Sequence, residues 1–149
     1  MKKIIYSPGE PSGIGPDLII KLSSSKLWED LNIPIVSIGD PKLFIDRAAL
    51  LKKKIKIVEL ESLNEVSKNT KGLIQIIKVT KCSNTRPGKL SKSNAQYVLD
   101  NLTYSIKQTM QNEGTALVTG PLSKENIISI DKLFTGHTEY IKKITKSKD

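Results

Sequence analysis

Residues 115–140 read TALVTGPLSKENIISIDKLFTGHTEY, and this stretch decides the fold class. The apolar run Ala116, Leu117 and Val118 predicts a strand that stops at Gly120-Pro121. A helix is expected to open at Ser123. A second turn, Phe134-Thr135-Gly136, is expected to open another at His137. Each helix N-terminus leaves backbone N–H groups unpaired and carries a partial positive charge, which suits a phosphate or carboxylate. The side chains at these two ends are Ser123, Lys124, His137 and Thr138, and His137 is the chain's single histidine.

A cation in the first turn of a helix opposes the helix dipole by roughly 0.3–1 kcal/mol when exposed. Spacing alone leaves two readings of Lys124: a cation kept there to hold an anion, or a solvated lysine on a lysine-rich surface. It leaves two for His137 as well. One is a residue facing an anion; the other is a helix-start residue packed beside Gly136, with Glu139 folding back as a cap.

The same arrangement of strand, glycine turn and helix stands at the head of the chain. Lys3-Ile4-Ile5-Tyr6-Ser7 is a short apolar strand, followed by Pro8-Gly9-Glu10-Pro11-Ser12-Gly13-Ile14-Gly15-Pro16-Asp17. Three glycines and three prolines make this loop both permissive and locally stiff. Pro16 suits the first helical position and Asp17 the first turn, with the helix running through Leu22 to a serine cluster. The loop is not the dinucleotide fingerprint, because Leu18 stands where a third glycine belongs. It is not a P-loop either, since no Gly-Lys-Ser/Thr follows. A tight strand-to-helix connection would look the same.

Between these ends, residues 35–39 read as a buried strand, capped into a helix over residues 42–53 by Asp40 and Pro41. Leu43, Phe44, Ala48 and Leu51 line one face of that helix. Residues 55–60 alternate like a half-buried strand, residues 61–72 are polar and loop-like, and residues 73–79 form another strand. After a polar connection containing Arg86-Pro87-Gly88-Lys89, Ser91 or Ser93 is expected to cap the longest helix, over residues 92–112. Ala95, Val98, Leu99, Leu102, Ile106 and Met110 form its apolar stripe. Residues 142–149 are a charged helix end or a frayed tail.

Composition narrows the function. The 149 residues suit one domain, with 38% hydrophobic and 5% aromatic side chains giving an aliphatic core. No run approaches the ~18–20 apolar residues of a membrane span. A single cysteine, Cys82, excludes an internal disulfide and fits a reducing, cytoplasmic setting; it lacks a nearby metal partner or base and reads as an ordinary thiol. The net charge of +9 is almost all lysine, with Arg47 and Arg86 the two arginines. Nucleic-acid binding is disfavoured, because arginine is the residue suited to bidentate phosphate and guanine contacts and the aromatics are too scattered to stack bases.

Four motifs then stand in order: Gly9-Glu10-Pro11-Ser12-Gly13-Ile14-Gly15-Pro16-Asp17, Arg86-Pro87-Gly88-Lys89, Thr119-Gly120-Pro121-Leu122-Ser123-Lys124 and Thr135-Gly136-His137-Thr138-Glu139. Together they resemble the N-terminal part of the 4-hydroxythreonine-4-phosphate dehydrogenase family of pyridoxal phosphate biosynthesis. The resemblance implies an α/β fold with three α/β/α layers, similar to the isocitrate and isopropylmalate dehydrogenases, in two lobes with the active site in the cleft. It makes residues 1–149 the N-terminal half, with residues 120–149 the start of the second lobe. It also implies oxidation of 4-phosphohydroxy-L-threonine by NAD or NADP, followed by loss of CO2, with a divalent metal (Zn, Mg or Co) as Lewis acid.

By resemblance, His137 and Thr138 match the substrate-contacting pair. Lys124 is added for the substrate, and Gly13, Ile14, Gly15 and Pro16 for the cofactor cleft. No catalytic residue is assigned. The family's metal-binding histidines lie beyond the motifs matched here, and a chain with one histidine cannot assemble a three-histidine site. The expectation is an N-terminal portion, homodimeric when complete, that alone holds no catalytic metal tightly and does not turn over. A relative acting on threonate or erythronate 4-phosphate, or a non-catalytic phosphate-binding module, are the alternatives.

Overall fold

A computed structural model describes residues 2–147. Five strands form a single all-parallel sheet: β1 (Lys3–Ser7), β2 (Ile35–Ile38), β3 (Lys56–Glu59), β4 (Leu73–Ile77) and β5 (Thr115–Thr119), in the order β3-β4-β2-β1-β5. Six α-helices accompany them among the described residues: α1 (Gly15–Ser23), α2 (Lys26–Asp30), α3 (Pro41–Leu50), α4 (Ala95–Gln111), and, after the last strand, α5 (Lys124–Ile128) and α6 (His137–Thr145). Parallel strands need crossovers, and the segments between the strands cover both faces of the sheet, which is why β1, β2 and β4 are mostly apolar and buried rather than alternating.

The register sorts the side chains into two layers. Tyr6, Ile35, Ile74 and Ile76 face one way and pack with Ile19 and Ile20 of α1, Trp28 of α2, and Leu43, Phe44 and Ala48 of α3. Ile5, Val36, Ile38 and Ile77 face the other way, against Leu60, Leu63, Val66 and Tyr104 of α4. This is the expected three-layer α/β/α arrangement. Residues 61–72, which read as a polar loop, supply part of that second layer through Leu63 and Val66. Buried Gln75 of β4 fastens them by accepting from Ser67 N and donating to Ser67 O, both at 2.8 Å.

Several element boundaries differ from the sequence reading for local reasons. α3 stops at Leu50 rather than residue 53, because Lys52 turns left-handed (φ 53°) while Lys53 N donates to Ala48 O and Lys52 N to Ala49 O, a Schellman ending. Neither Ser91 nor Ser93 caps α4. Their hydroxyls bond each other at 2.7 Å, and a 3-10 turn, Lys92–Asn94, leads into the helix. The apolar stripe of α4 is buried through Ile106, but Met110 is 56% exposed. Helix α2, which carries fully buried Trp28, has no counterpart in the sequence reading; five residues are too few to show a period. Of the expected tail, α6 reaches Thr145, and residues 148 and 149 lie outside the described residues.

What positions the carboxyl edge of the sheet is backbone packed on backbone. Ser7 and Thr119 are paired at the ends of β1 and β5, and Gly120 N donates to Ser7 O at 2.7 Å. The carbonyl oxygen of Pro8 then sits between two glycines: a Cβ would lie 1.8 Å from it at Gly15 and 2.2 Å from it at Gly120. No side chain fits at either position without moving the strand ends apart. Gly120→Ala is therefore expected to destabilise the chain by about 1–3 kcal/mol, as overpacking does. That corresponds to roughly 2–4 °C in Tm per kcal/mol for a chain of this size. Thermal unfolding by circular dichroism checks it, and an unchanged Tm would contradict the packing described.

Candidate functional site

In an open parallel sheet, ligands bind beyond the carboxyl ends of the strands where the strand order reverses. Here β1 has β2 on one side and β5 on the other, so the reversal falls between β1 and β5. The turns at residues 8–15 and 119–121 both leave from that point. They are cross-linked by Glu10 N donating to Pro121 O at 2.9 Å. Gly9 is required on two counts: φ is +80°, and a Cβ would lie 2.2 Å from Pro121 O.

The first loop is held from several directions. Tyr6 OH donates to Gly15 O at 2.9 Å, and burial pushes its hydroxyl up to about 12. The buried guanidinium of Arg47, from α3, donates to Pro11 O at 2.7 Å, Gly13 O at 2.9 Å and Asp17 Oδ1 at 2.7 Å. The buried carboxylate of Glu10 accepts from Ser12 N, from Ser12 Oγ at 2.7 Å, and from Asn126 Nδ2 of α5 at 3.1 Å. Gly88 N donates to Ser12 O at 2.8 Å, which brings the turn at residues 86–89 onto the same loop. Three of the four glycine-bearing motifs therefore meet at one edge of the sheet, and the fourth adjoins them where Lys124 lies beside Gly136.

The expected anion side is narrower than two open helix ends. α5 is only Lys124–Ile128, and Ser123 Oγ already caps it by accepting from Asn126 N at 3.2 Å. α6 is a full nine-residue helix whose N-cap is Gly136, with no side chain to satisfy its first N–H groups. Glu139 does not cap it by a hydrogen bond, although its carboxylate hangs beside Gly136. Lys124 arches over this end: a Cβ at Gly136 would lie 3.4 Å from Lys124 Cε and 3.5 Å from Nζ. Among the described residues Lys124 has no ion-pair partner.

Half-buried His137 starts α6, with exposed Thr138 beside it. Burial, then the charge of Lys124, lowers the His137 pKa below its ordinary 6.5. The lowered pKa keeps the imidazole largely neutral at neutral pH, beside an ammonium without an ion pair and the uncapped end of α6. These can grip an anion and donate or accept one hydrogen bond, with the Glu139 carboxylate as the opposing charge at Gly136.

The structure thus brings Lys124 and His137 together, with Thr138 next to them. Gly13, Ile14, Gly15 and Pro16 lie at the mouth of β1, and they reach α5 through Glu10 and Asn126. Gly15 is demanded by the Pro8 carbonyl, so its presence is not a ligand signal, whereas Ile14 is 58% exposed. No group of three His, Cys, Asp or Glu side chains among the described residues could hold a metal ion. Burial, then Asp40, pushes the Cys82 thiol up to about 12, which disfavours the thiolate.

Arg47, Glu10 and Asn126 are absent from the sequence-based site. Arg47 left a signal, being one of two arginines in a lysine-rich chain and lying on the apolar face of its helix with Phe44 and Ala48.

Comparison with known proteins identifies relatives of this chain and its fold. The family model described as pyridoxal phosphate biosynthetic protein PdxA matches residues 30–149. The chain is 32% identical over 148 residues to the 4-hydroxythreonine-4-phosphate dehydrogenase of Citrobacter koseri, covering 99% of this chain and 44% of the relative. It is 35% identical over 143 residues to that of Methylococcus capsulatus, covering 96% and 42%. Solved structures of the enzyme from Burkholderia phymatum (TM-score 0.88, 20% identity) and Klebsiella pneumoniae (TM-score 0.87, 24% identity) share the fold over the whole of this chain and 45% and 46% of theirs. The chain spans less than half the length of the relatives it matches.

Because His137 is the single histidine, its proton NMR titration is unambiguous. It is expected to titrate below 6.5, and Lys124→Ala is expected to move it back toward that value. With the folded-state pKa lowered, the folded chain binds fewer protons than the unfolded chain just below 6.5. The stability contribution of this group is therefore full above 6.5 and is lost as the pH falls toward the lowered value. A titration unaffected by Lys124→Ala would contradict the proximity of the two groups.

Proposed function

The chain belongs to the PdxA family, and from that premise we propose that it is the N-terminal portion of a 4-hydroxythreonine-4-phosphate dehydrogenase. The substrate proposed is 4-phosphohydroxy-L-threonine, oxidised at its secondary alcohol and then decarboxylated. The observation that carries the reading is the meeting of three glycine-bearing turns at the reversal point of the sheet, with the fourth adjoining them. There an unpaired lysine lies over the open N-terminus of α6.

In this reading Lys124, His137 and Thr138 hold an anionic group of the substrate, and the opening N–H groups of α6 add dipolar attraction. Neutral His137 offers a hydrogen bond while Lys124 supplies the charge. Residues 13–16, at the start of the nine-residue helix α1, form the near wall of a cleft for NAD or NADP. When bound, the nicotinamide supplies the hydride acceptor. The chain's own contribution is to orient the substrate against it.

The described residues do not fit a divalent metal, so no step is assigned to one here. Segment 120–149 is proposed as the opening of the second lobe. Its inner side chains Ile127 and Phe134 seat it on the first, while Ile128, Ile130 and Leu133 remain exposed. A homodimer is proposed for the complete protein. The lysine over the start of α6 also fits one further reading, a binding module that keeps the phosphate site alone.

The 149-residue chain is expected to form no NADH from 4-phosphohydroxy-L-threonine and to retain less than one zinc per chain in equilibrium dialysis. It should still bind inorganic phosphate, detected as an upward shift of the His137 pKa that disappears in Lys124→Ala. Turnover at an ordinary enzymatic rate, on the order of 1–10³ per second, would refute the incomplete-site reading. Phosphate that leaves His137 unmoved would refute the anion site.

A further inference from the structure

We propose that Glu10 and Asn126 are positioning residues that make the cofactor-side loop and the anion-side helix a single mechanical unit; the proposal rests on the anion-site reading above. Glu10 is a buried carboxylate, 5% exposed, with no ion-pair partner among the described residues. A carboxylate out of water without a cation must be satisfied by hydrogen bonds, and here every donor is neutral. Two of the bonds, from Ser12 N and Ser12 Oγ, are local and would shape the turn by themselves. The third, from Asn126 Nδ2, joins residues 116 positions apart.

Asn126 is buried as well, at 3% exposure, and its amide also donates to Ser91 O at 3.0 Å. One amide group therefore ties the first loop, α5 and the segment leading into α4. Asn126 lies two positions after Lys124 in a helix of five residues, which is too short to bend between them. Whatever fixes Asn126 fixes the base of the Lys124 side chain. On its other side the loop is fixed by Arg47, through Pro11 O and Gly13 O. The loop is thus clamped between α3 and α5, and the Glu10–Asn126 bond is the side-chain contact that carries a displacement from one binding region to the other.

The test uses the 149-residue chain, uniformly 15N-labelled, with inorganic phosphate as probe. Phosphate is expected to shift the resonances of His137 and Thr138 together with the loop amides of Glu10, Ser12 and Gly13. In Glu10→Gln the amide oxygen can keep the Ser12 bonds while its NH2 faces the NH2 of Asn126, so only the long-range bond is lost. The loop response is then expected to fall at least fivefold. Phosphate affinity at His137 should weaken about tenfold, the usual scale for losing a hydrogen bond to a charged group. Asn126→Ala is expected to behave alike, and Glu10→Gln carries the test if that variant does not fold. Loop amides that respond equally in wild type and Glu10→Gln, or not at all in wild type while His137 responds, overturn the coupling and leave the anion site standing. A wild-type His137 indifferent to phosphate overturns both.

Discussion

The carbonyl oxygen of Pro8 has a glycine on either side, and that contact decides where everything else at the carboxyl edge of the sheet can be. With Gly15 and Gly120 both lacking a Cβ, the first turn of α1 and the exit from β5 close onto the end of β1. Parallel pairing of Lys3–Ser7 with Thr115–Thr119 brings these turns level, residue for residue. Any bulkier residue would force a gap at the point where the strand order reverses, which is where an open α/β sheet carries its ligand. The constraint is steric and local, yet it joins segments more than a hundred positions apart.

Charge is distributed over this frame unevenly. Arg47 is buried and engaged by two carbonyls and Asp17, so it acts as a structural cation. Glu10 is buried and satisfied by neutral donors. Lys124, by contrast, is exposed and without an ion pair among the described residues, and after burial it is the second cause that lowers the pKa of His137. A buried, hydrogen-bonded set thus underlies an exposed one. Other lysines of this basic chain are engaged elsewhere, Lys42 with Asp46, Lys78 with Asp40 and Lys143 with Asp131, so net charge alone says little about function here.

Much of the fold was legible because buried parallel strands leave an unmistakable pattern. Residues 3–7, 35–38 and 73–77 are short apolar runs bounded by glycine, proline or polar residues, and each is a strand. The helix caps at Asp40 and Ser123 were equally readable, since short polar side chains before a helix have one common use. Helix α2 was not, because five residues carry no periodicity, and neither was the left-handed Lys52 that ends α3, because lysine gives no hint of that conformation. At the site, Lys124 and His137 stand 13 positions apart, within one stretch of turns and short helices, so their meeting could be anticipated. Glu10 and Asn126 meet only through the pairing of β1 with β5, which no local pattern announces.

The start of α6 and Lys124 are proposed to form one anion site beside the reversal point of the sheet. Anomalous diffraction from crystals grown with selenate tests it most directly, since selenium marks the bound oxyanion without ambiguity. The account predicts an ordered peak between Lys124 Nζ and the N–H groups of His137 and Thr138, absent in Lys124→Ala. Selenate bound at other lysines while this position stays empty would contradict it.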